Sequence, residues 1–219
     1  DNSYDAESDY YFYNFSGHSG KFVYKQNQGN ASPFLIPDQP IKVVAKSNGF
    51  HITDELGILY KFESAEETSS YFNSILETYE SSYFLTKIVS ADRKDSITFI
   101  YASDNDYTIG SSTDVETIGQ MANGNGSISH GYHVNSSVLN TRQISSLRLT
   151  EVNYPNGKIE FISDNTRLDL PKFRLQELKI WSKNPNGTYT HQKSFILGEE
   201  YFASAGGGGQ QFNRLKLRG

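Results

Sequence analysis

The sequence predicts an all-β protein in which consecutive antiparallel β-hairpins form a twisted, elongated sheet or β-ribbon. Tyr and Phe are abundant, with 15 Tyr and 14 Phe in 219 residues, and their rings cover a pleated, half-buried surface well. Short runs of aromatic and β-branched residues also alternate with clusters of Gly, Asn, Asp and Ser, which is the pattern of strands joined by turns.

The amino-terminal part predicts one hairpin followed by a meander. Residues 11–24 contain two aromatic runs on either side of the segment Gly17 to Gly20, which predicts a turn. Prolines bracket 33–37, so this short extended piece belongs at a sheet edge. Residues 41–62 contain an Asn48-Gly49 turn signal and three alternating runs, which predict a three-strand meander.

Two segments in the middle of the chain depart from this pattern. Residues 63–82 are rich in Glu and Ser, and their apolar residues recur at a spacing closer to a helix period, so one short helix is predicted there. Residues 103–140 are the least regular, and we interpret them as an irregular insertion with one or two strands, one of them within 128–134.

The carboxyl-terminal third returns to hairpins and contains a repeated unit. Residues 147–162 and 173–197 each predict a hairpin with an Asn-Gly turn, and 212–217 resembles a further opening strand with no partner strand after it. The predicted organisation is an amino-terminal hairpin and meander region (1–102), the insertion (103–140), and a hairpin repeat region (141–219). The first and last regions are expected to form one continuous domain that belongs to a longer array.

Charge and composition argue against several classes of protein. The net charge is −5 without a cluster of Lys and Arg, so no nucleic-acid partner is expected. The sequence contains no Cys, which excludes disulfides, thiolate catalysis and cysteine-based zinc sites. No apolar run is long enough to cross a bilayer, so no membrane span is expected, and any signal peptide is expected to have been removed or to lie upstream.

Motifs for catalysis are also missing. The sequence has no Gly-x-Ser-x-Gly elbow and no phosphate loop. His130 and His133 are the most closely spaced histidines, but residues three apart in a strand face opposite sides and do not converge on a metal. Asp104 and Asp106 lack the pattern of a calcium loop, although calcium binding within 103–140 remains open. We therefore expect a protein that is not an enzyme and needs no cofactor.

Exposed aromatic residues are the remaining candidates for a binding site. Tyr83, Tyr132, Trp181 and Tyr189 are the predicted contacts for a glycan or a protein partner. The competing interpretation is that these rings pack against neighbours across the strands, because alternation along a strand places some Tyr outside in any sheet.

Several motifs resemble the segment that precedes the repeat array in large bacterial RHS/YD-repeat proteins. These motifs lie at 13–22, 52–62, 84–88, 167–170 and 200–202, so that the resemblance covers most of the chain outside 103–140. The tyrosine-aspartate repeat itself is not present. The resemblance implies a secreted or cell-surface protein of the Gram-negative bacterial envelope, in which this chain is a non-catalytic structural β-ribbon whose main partner is the remainder of its own polypeptide. The alternative function is a carbohydrate-binding or adhesion module that uses exposed Tyr and Trp.

Overall fold

The computed structural model describes residues 9–24, 33–72, 75–104, 107–115, 120–122, 128–130, 136–170, 172–205 and 211–218. All regular structure in this part of the chain is β, with antiparallel pairing throughout, so the all-β prediction is confirmed. An amino-terminal sheet contains β1 (Tyr10–Phe15), β2 (His18–Val23) and β3 (Phe34–Ile36).

A main sheet of eleven described strands follows. Its strands are β4 (Lys42–Lys46), β5 (Gly49–Thr53), β6 (Leu59–Phe72), β7 (Ile75–Val89), β8 (Ser96–Ser103), β9 (Tyr107–Val115), β12 (Ser136–Ser145), β13 (Leu147–Tyr154), β14 (Gly157–Asp164), β15 (Arg174–Lys183) and β16 (Tyr189–Ile196). Two small hairpins complete the described strands, β10 (Gln120–Ala122) with β11 (Ile128–His130), and β17 (Glu199–Ala205) with β18 (Gln211–Leu217).

The predicted helix within 63–82 is wrong, because the described residues of this segment belong to the long hairpin of β6 and β7. Thr68 lies opposite Tyr79, and the Thr68 Oγ1 donates to the Ser81 Oγ at 2.8 Å. Thr, Ser and aromatic residues are poor helix formers but fit a paired strand. The helix-like spacing arises because the apolar residues lie on both strands at the end of this hairpin, where the register is unbroken from Thr68–Tyr79 to Phe72–Ile75.

The main sheet is built around two long ribbons whose contacting edges change along their length. One ribbon is the hairpin of β6 and β7. In the other ribbon, β8 pairs with β13, and β9, which follows β8 along the chain, pairs with β12. At one end β7 pairs with β8 through 87–89, whereas toward the other end β6 pairs with β12 through 67–71. Two-stranded ribbons twist strongly, and bulges increase that twist. Each ribbon therefore presents one edge to its neighbour at one end and the opposite edge at the other end.

The buried core lies between the amino-terminal sheet and one face of β4 to β6. Phe22 is 2% exposed and is stacked in parallel with the Tyr11 ring, with centroids 5.1 Å apart. The core cluster consists of Tyr13, Phe15, Phe22, Ile41, Val43, Ile52 and Tyr60. Ile52 lies opposite both Val43 and Tyr60, so these three side chains share the covered face of the meander. The predicted hairpin and meander are both present.

The covered face of the meander continues across the main sheet as an apolar face. Direct pairing places Tyr60 beside Ile88, Ile88 beside Ile97, and Val152 beside both Phe99 and Ile159. The same face continues through the following apolar residues: Phe161, Leu178, Ile180 and Phe195. Among the described residues, no side chain of β13 to β16 belongs to the buried core cluster.

The segment predicted as an insertion, 103–140, contains β9 and the first half of β12. The strands β9 and β12 pair over nine residues, 107–115 with 136–144. The carboxyl-terminal strand also has a partner, contrary to the expectation that 212–217 opens a hairpin. β18 pairs back with β17, and Leu215 lies opposite Tyr201. The Leu215 backbone N–H donates to Asp169 Oδ2 at 3.1 Å, and Asp169 is held by Arg167. The chain preceding β15 therefore anchors the last hairpin.

Candidate functional site

An open cleft of about 860 Å³ lies between the free edge of β1 and the middle of β7. We call it the aromatic cleft. One wall is formed by six consecutive residues of the β1 region, 9–14, and the opposite wall by residues 79–83. The floor between the walls is apolar and consists of Phe22, Phe50, Ile52 and Phe62. Tyr83, one of the predicted contact residues, therefore lies in the cleft.

The turn between β1 and β2 determines which backbone groups of β1 face the cleft. Ser16 and Gly17 both have positive φ, +44° and +85°, which is the geometry of a tight two-residue hairpin turn. Phe15 and His18 therefore form the first hydrogen-bonded pair, and bonded and non-bonded pairs alternate from there. By this alternation, the backbone groups of Tyr10, Phe12 and Asn14 point away from β2.

No described strand pairs with that outer edge of β1, because β1 pairs with β2 alone among the described strands. The β7 wall is similar, since its pairing with β8 is confined to 87–89 and residues 79–83 pair with β6 only. Among the described strands, β1 therefore brings an edge without a strand partner to the cleft. Unpaired N–H and C=O groups in a row are a template for pairing with another strand.

The ionisable groups of the aromatic cleft are acidic. Among the described residues, Asp9 and Glu80 line it, and no Lys or Arg does. The Tyr83 hydroxyl donates to Glu80 Oε2. Burial, followed by this hydrogen bond to a carboxylate, raises the pKa of Tyr83 to about 12. Burial together with the charges of Asp9 and Glu80 also raises the pKa of Tyr11. Both shifts have the sign expected of a site with negative potential.

A second cavity of about 940 Å³ adjoins the first and shares with it Tyr11, Phe50, Glu80 and Tyr83. It runs between β3 and β4 and includes Lys42 and Lys46 in its lining. Tyr83 packs edge-on against the Phe50 ring, with centroids 5.0 Å apart. These two rings line both cavities, and of the two described linings only the second contains Lys.

Trp181 and Tyr189 lie elsewhere, on the opposite, polar face of the main sheet around Lys158. The Trp181 Nε1–H donates to Glu160 Oε2 at 2.8 Å, and Lys158 Nζ lies 2.6 Å from Glu160 Oε1. The same ammonium is 5.0 Å from the centroid of the Tyr189 ring. The hydrogen bond between Lys158 and Glu160 is the main cause of a raised pKa for Lys158 and a lowered pKa for Glu160.

The predicted contact residues thus do not form a single platform. Trp181 is bonded to Glu160 and Tyr189 lies against Lys158, Tyr83 lines the aromatic cleft, and Tyr132 lies outside the described residues. Sequence reasoning did not single out Glu80 as a partner of Tyr83. The signal in the sequence was the aromatic run at 10–13 together with Tyr79 and Tyr83, but β1 and β7 are far apart along the chain and only the stacked sheets bring them together.

The part of the chain that the structure describes contains no cluster of three or more His, Asp or Glu able to hold a metal ion. Two histidines form isolated pairs with carboxylates. His51 Nε2 lies 2.6 Å from Glu63 Oε1, and His18 Nε2 lies 3.3 Å from Glu55 Oε2. The hydrogen bond with His51 lowers the pKa of Glu63. Within the described residues, no helix has the length and apolarity to span a membrane.

Comparison with known proteins does not assign the chain to a family. No protein-family model matches the sequence, and searches of curated proteins and of solved structures find no similar protein.

Proposed function

We propose that the chain is a non-catalytic structural segment of a large exported bacterial protein of the RHS/YD-repeat type. The observation that supports this role is the apolar face of the main sheet. Among the described residues, the amino-terminal sheet covers this face only over the meander and the adjoining part of β7, where Leu85 and Ile88 pack against the core. The continuation of that face over β13 to β16 keeps its apolar side chains half-buried or exposed, with Phe195 45% exposed.

Apolar area on one face of a sheet is stabilising when another layer covers it. The other face of the same strands is polar, with Lys158 between Glu151 and Glu160. This difference between the faces favours a second layer over the apolar face alone. In the proposed role, the covering layer is supplied by the remainder of the parent polypeptide, outside the bacterial outer membrane.

Cell fractionation tests the proposal most directly. An antibody against the chain is used to probe the extracellular, envelope and cytosolic fractions of the producing bacterium. We expect a band far larger than the 219-residue chain, in the extracellular or envelope fraction. A band no larger than this chain, confined to the cytosol, would refute the proposed role.

Hydrogen exchange gives a second test at the level of individual strands. In the isolated chain, the amides of β13 to β16 are expected to exchange faster than those of β5 and β6, which lie beneath the amino-terminal sheet. In the parent polypeptide the two groups should become similarly protected. Unchanged fast exchange in β13 to β16 of the parent would mean that nothing covers this face.

The alternative function is a carbohydrate-binding or adhesion module, which the 40% exposed Tyr189 on the same polar face as Trp181 favours. A glycan array probed with the chain and with Trp181→Ala distinguishes the two functions. Binding that is saturable and lost in Trp181→Ala would support the module. No binding by either protein is the result expected of a structural segment.

A further inference from the structure

We propose that the aromatic cleft binds an extended peptide with a basic side chain, which pairs as an additional strand with the free edge of β1. The partner is thus a polypeptide segment in strand conformation that carries Lys or Arg toward Glu80 and Asp9. This inference is independent of the structural role proposed above, because it concerns the other end of the sheet and a different surface.

The backbone of β1 supplies the main-chain part of the proposed interaction. Tyr10, Phe12 and Asn14 direct their N–H and C=O groups away from β2, as the alternation from the Phe15–His18 pair requires. Strand addition to such an edge uses these groups for affinity and leaves alternate side chains of the peptide for specificity. Because β1 spans six residues, about five or six residues of peptide can pair with it.

The residues that line the cleft favour a basic side chain on the bound peptide. Of the fifteen described lining residues, nine are aromatic, two are acidic and none is Lys or Arg. A cation gains from carboxylates and from the faces of aromatic rings, and the gain is larger where water is partly excluded. One contact between a cation and an aromatic ring is already present at the lining residue Tyr10, since Lys21 Nζ lies 4.2 Å from the centroid of its ring. An acidic peptide would face like charges at Asp9 and Glu80.

The exposed ring of Phe12 supports an interaction surface at the same edge. Phe12 is 79% exposed and Tyr10 is 55% exposed, and both line the cleft. Exposed apolar residues gathered at one place mark interaction sites more often than single exposed residues do. A strand lying along β1 would cover part of both rings.

Isothermal titration of the full chain with synthetic peptides tests the proposal. The probe is the blocked peptide acetyl-Thr-Val-Lys-Val-Thr-Val-amide. One matched peptide has Glu in place of Lys, and another has the same sequence with alternate backbone N-methylation on the pairing edge. We expect the Lys peptide to bind, and both matched peptides to bind at least about threefold more weakly, since each loses one class of contact.

Variants of the chain locate the binding site. Glu80→Gln keeps an acceptor for Tyr83 but removes the charge, and we expect binding of the Lys peptide to weaken by about threefold to tenfold. The matched control is Glu77→Gln, an exposed carboxylate on the same strand that does not line the cleft. It should leave the affinity unchanged. Equal effects of the two variants would overturn the assignment of Glu80.

Two substitutions of Phe12 separate the backbone from the ring. Phe12→Val keeps the outward N–H, whereas Phe12→Pro removes it without removing a hydrogen bond from the β1–β2 ladder. We expect Phe12→Pro to bind about threefold to tenfold more weakly than Phe12→Val. Equal affinities, or equal binding of the N-methylated peptide, would overturn strand pairing. Failure of the Lys peptide to bind at millimolar concentration would overturn the proposal as a whole.

Discussion

The Tyr60 hydroxyl donates a hydrogen bond to Asp54 Oδ2 at 3.1 Å, inside the core between the two sheets. The other carboxylate oxygen, Oδ1, accepts the backbone N–H groups of Leu56 and Ile58 at 3.0 and 2.8 Å. Ser16 Oγ lies 3.1 Å from the same hydroxyl, so the first hairpin turn is linked to the turn between β5 and β6. Asp54 therefore stabilises the turn between β5 and β6 and, through Tyr60, helps to hold the turn between β1 and β2 against it.

Replacing Asp54 tests this arrangement. Asp54→Ala leaves the backbone N–H groups of Leu56 and Ile58 without their acceptor and removes one of the two partners of the Tyr60 hydroxyl, so the free energy of unfolding should fall by about 2–4 kcal/mol. Tyr60→Phe removes the hydroxyl between Asp54 and Ser16 but leaves the backbone bonds of Asp54, and should cost about 1 kcal/mol. Urea unfolding of both variants measures the difference. A loss in Asp54→Ala no larger than that in Tyr60→Phe would show that the turn does not depend on the carboxylate.

Gly49 is predicted to be irreplaceable at the start of β5. Its φ is +139°, and a Cβ there would lie 2.0 Å from the Phe62 carbonyl oxygen of β6. Gly49→Ala should therefore separate β5 from β6 and cost about 2 kcal/mol or more in thermal or urea unfolding.

Gly187 provides the control, because its φ is +82° but no atom lies within 4 Å of the position that a Cβ would occupy. Gly187→Ala should cost only the backbone strain of about 1 kcal/mol. If both variants lose the same stability, the contact with Phe62 is not what limits position 49.

Stability is predicted to fall in acid because of Asp169. The hydrogen bonds from Arg167 lower the pKa of Asp169 to about 2, from 3.8. A carboxyl with a lowered pKa stabilises the folded state fully above its unfolded pKa, and this contribution is lost as pH falls toward 2. The loss should amount to about 2 kcal/mol between pH 5 and pH 2.

Urea unfolding of the wild type and Asp169→Asn at several pH values measures this contribution. The variant should be less stable at pH 5, and the gap between the two proteins should narrow as the pH falls. A gap that is constant from pH 5 to pH 2 would contradict the role of the charge. Lys158→Met, whose ion pairs lie on another part of the sheet, controls for a general effect of lost charge.

The fluorescence of Trp181 should report on the polar face, because Trp181 is the single Trp of the sequence. Its Nε1–H is bonded to Glu160, and its ring meets the His191 ring edge-on at 5.1 Å. We expect limited quenching by acrylamide, and increased quenching in Glu160→Ala. Glu177→Ala removes a carboxylate of the same face that is not bonded to Trp181. Acrylamide should quench the fluorescence of this variant to the same extent as that of the wild type.

Local patterns along the chain were sufficient to predict most of the hairpins. The turns at Asn48-Gly49 and at 154–157 each join two paired strands, because adjacent strands need only a turn signal and alternation. The segment 63–82 was misinterpreted for the same local reason. Its apolar residues lie on both strands beside the hairpin end, as in the pairs Tyr71–Leu76 and Phe72–Ile75, so their spacing along the chain imitates a helix period.

Residue patterns alone were enough to establish that this protein is built from antiparallel hairpins, and they identified Tyr83, Trp181 and Tyr189 as aromatic residues of interest. The surroundings of these residues depend on the three-dimensional arrangement. Tyr83 and Tyr11 line the same cleft because the amino-terminal sheet stacks on the meander, whereas strand register places Lys158 opposite Trp181 and near the Tyr189 ring. Register and stacking depend on contacts between distant segments, and no local pattern of residues encodes those contacts.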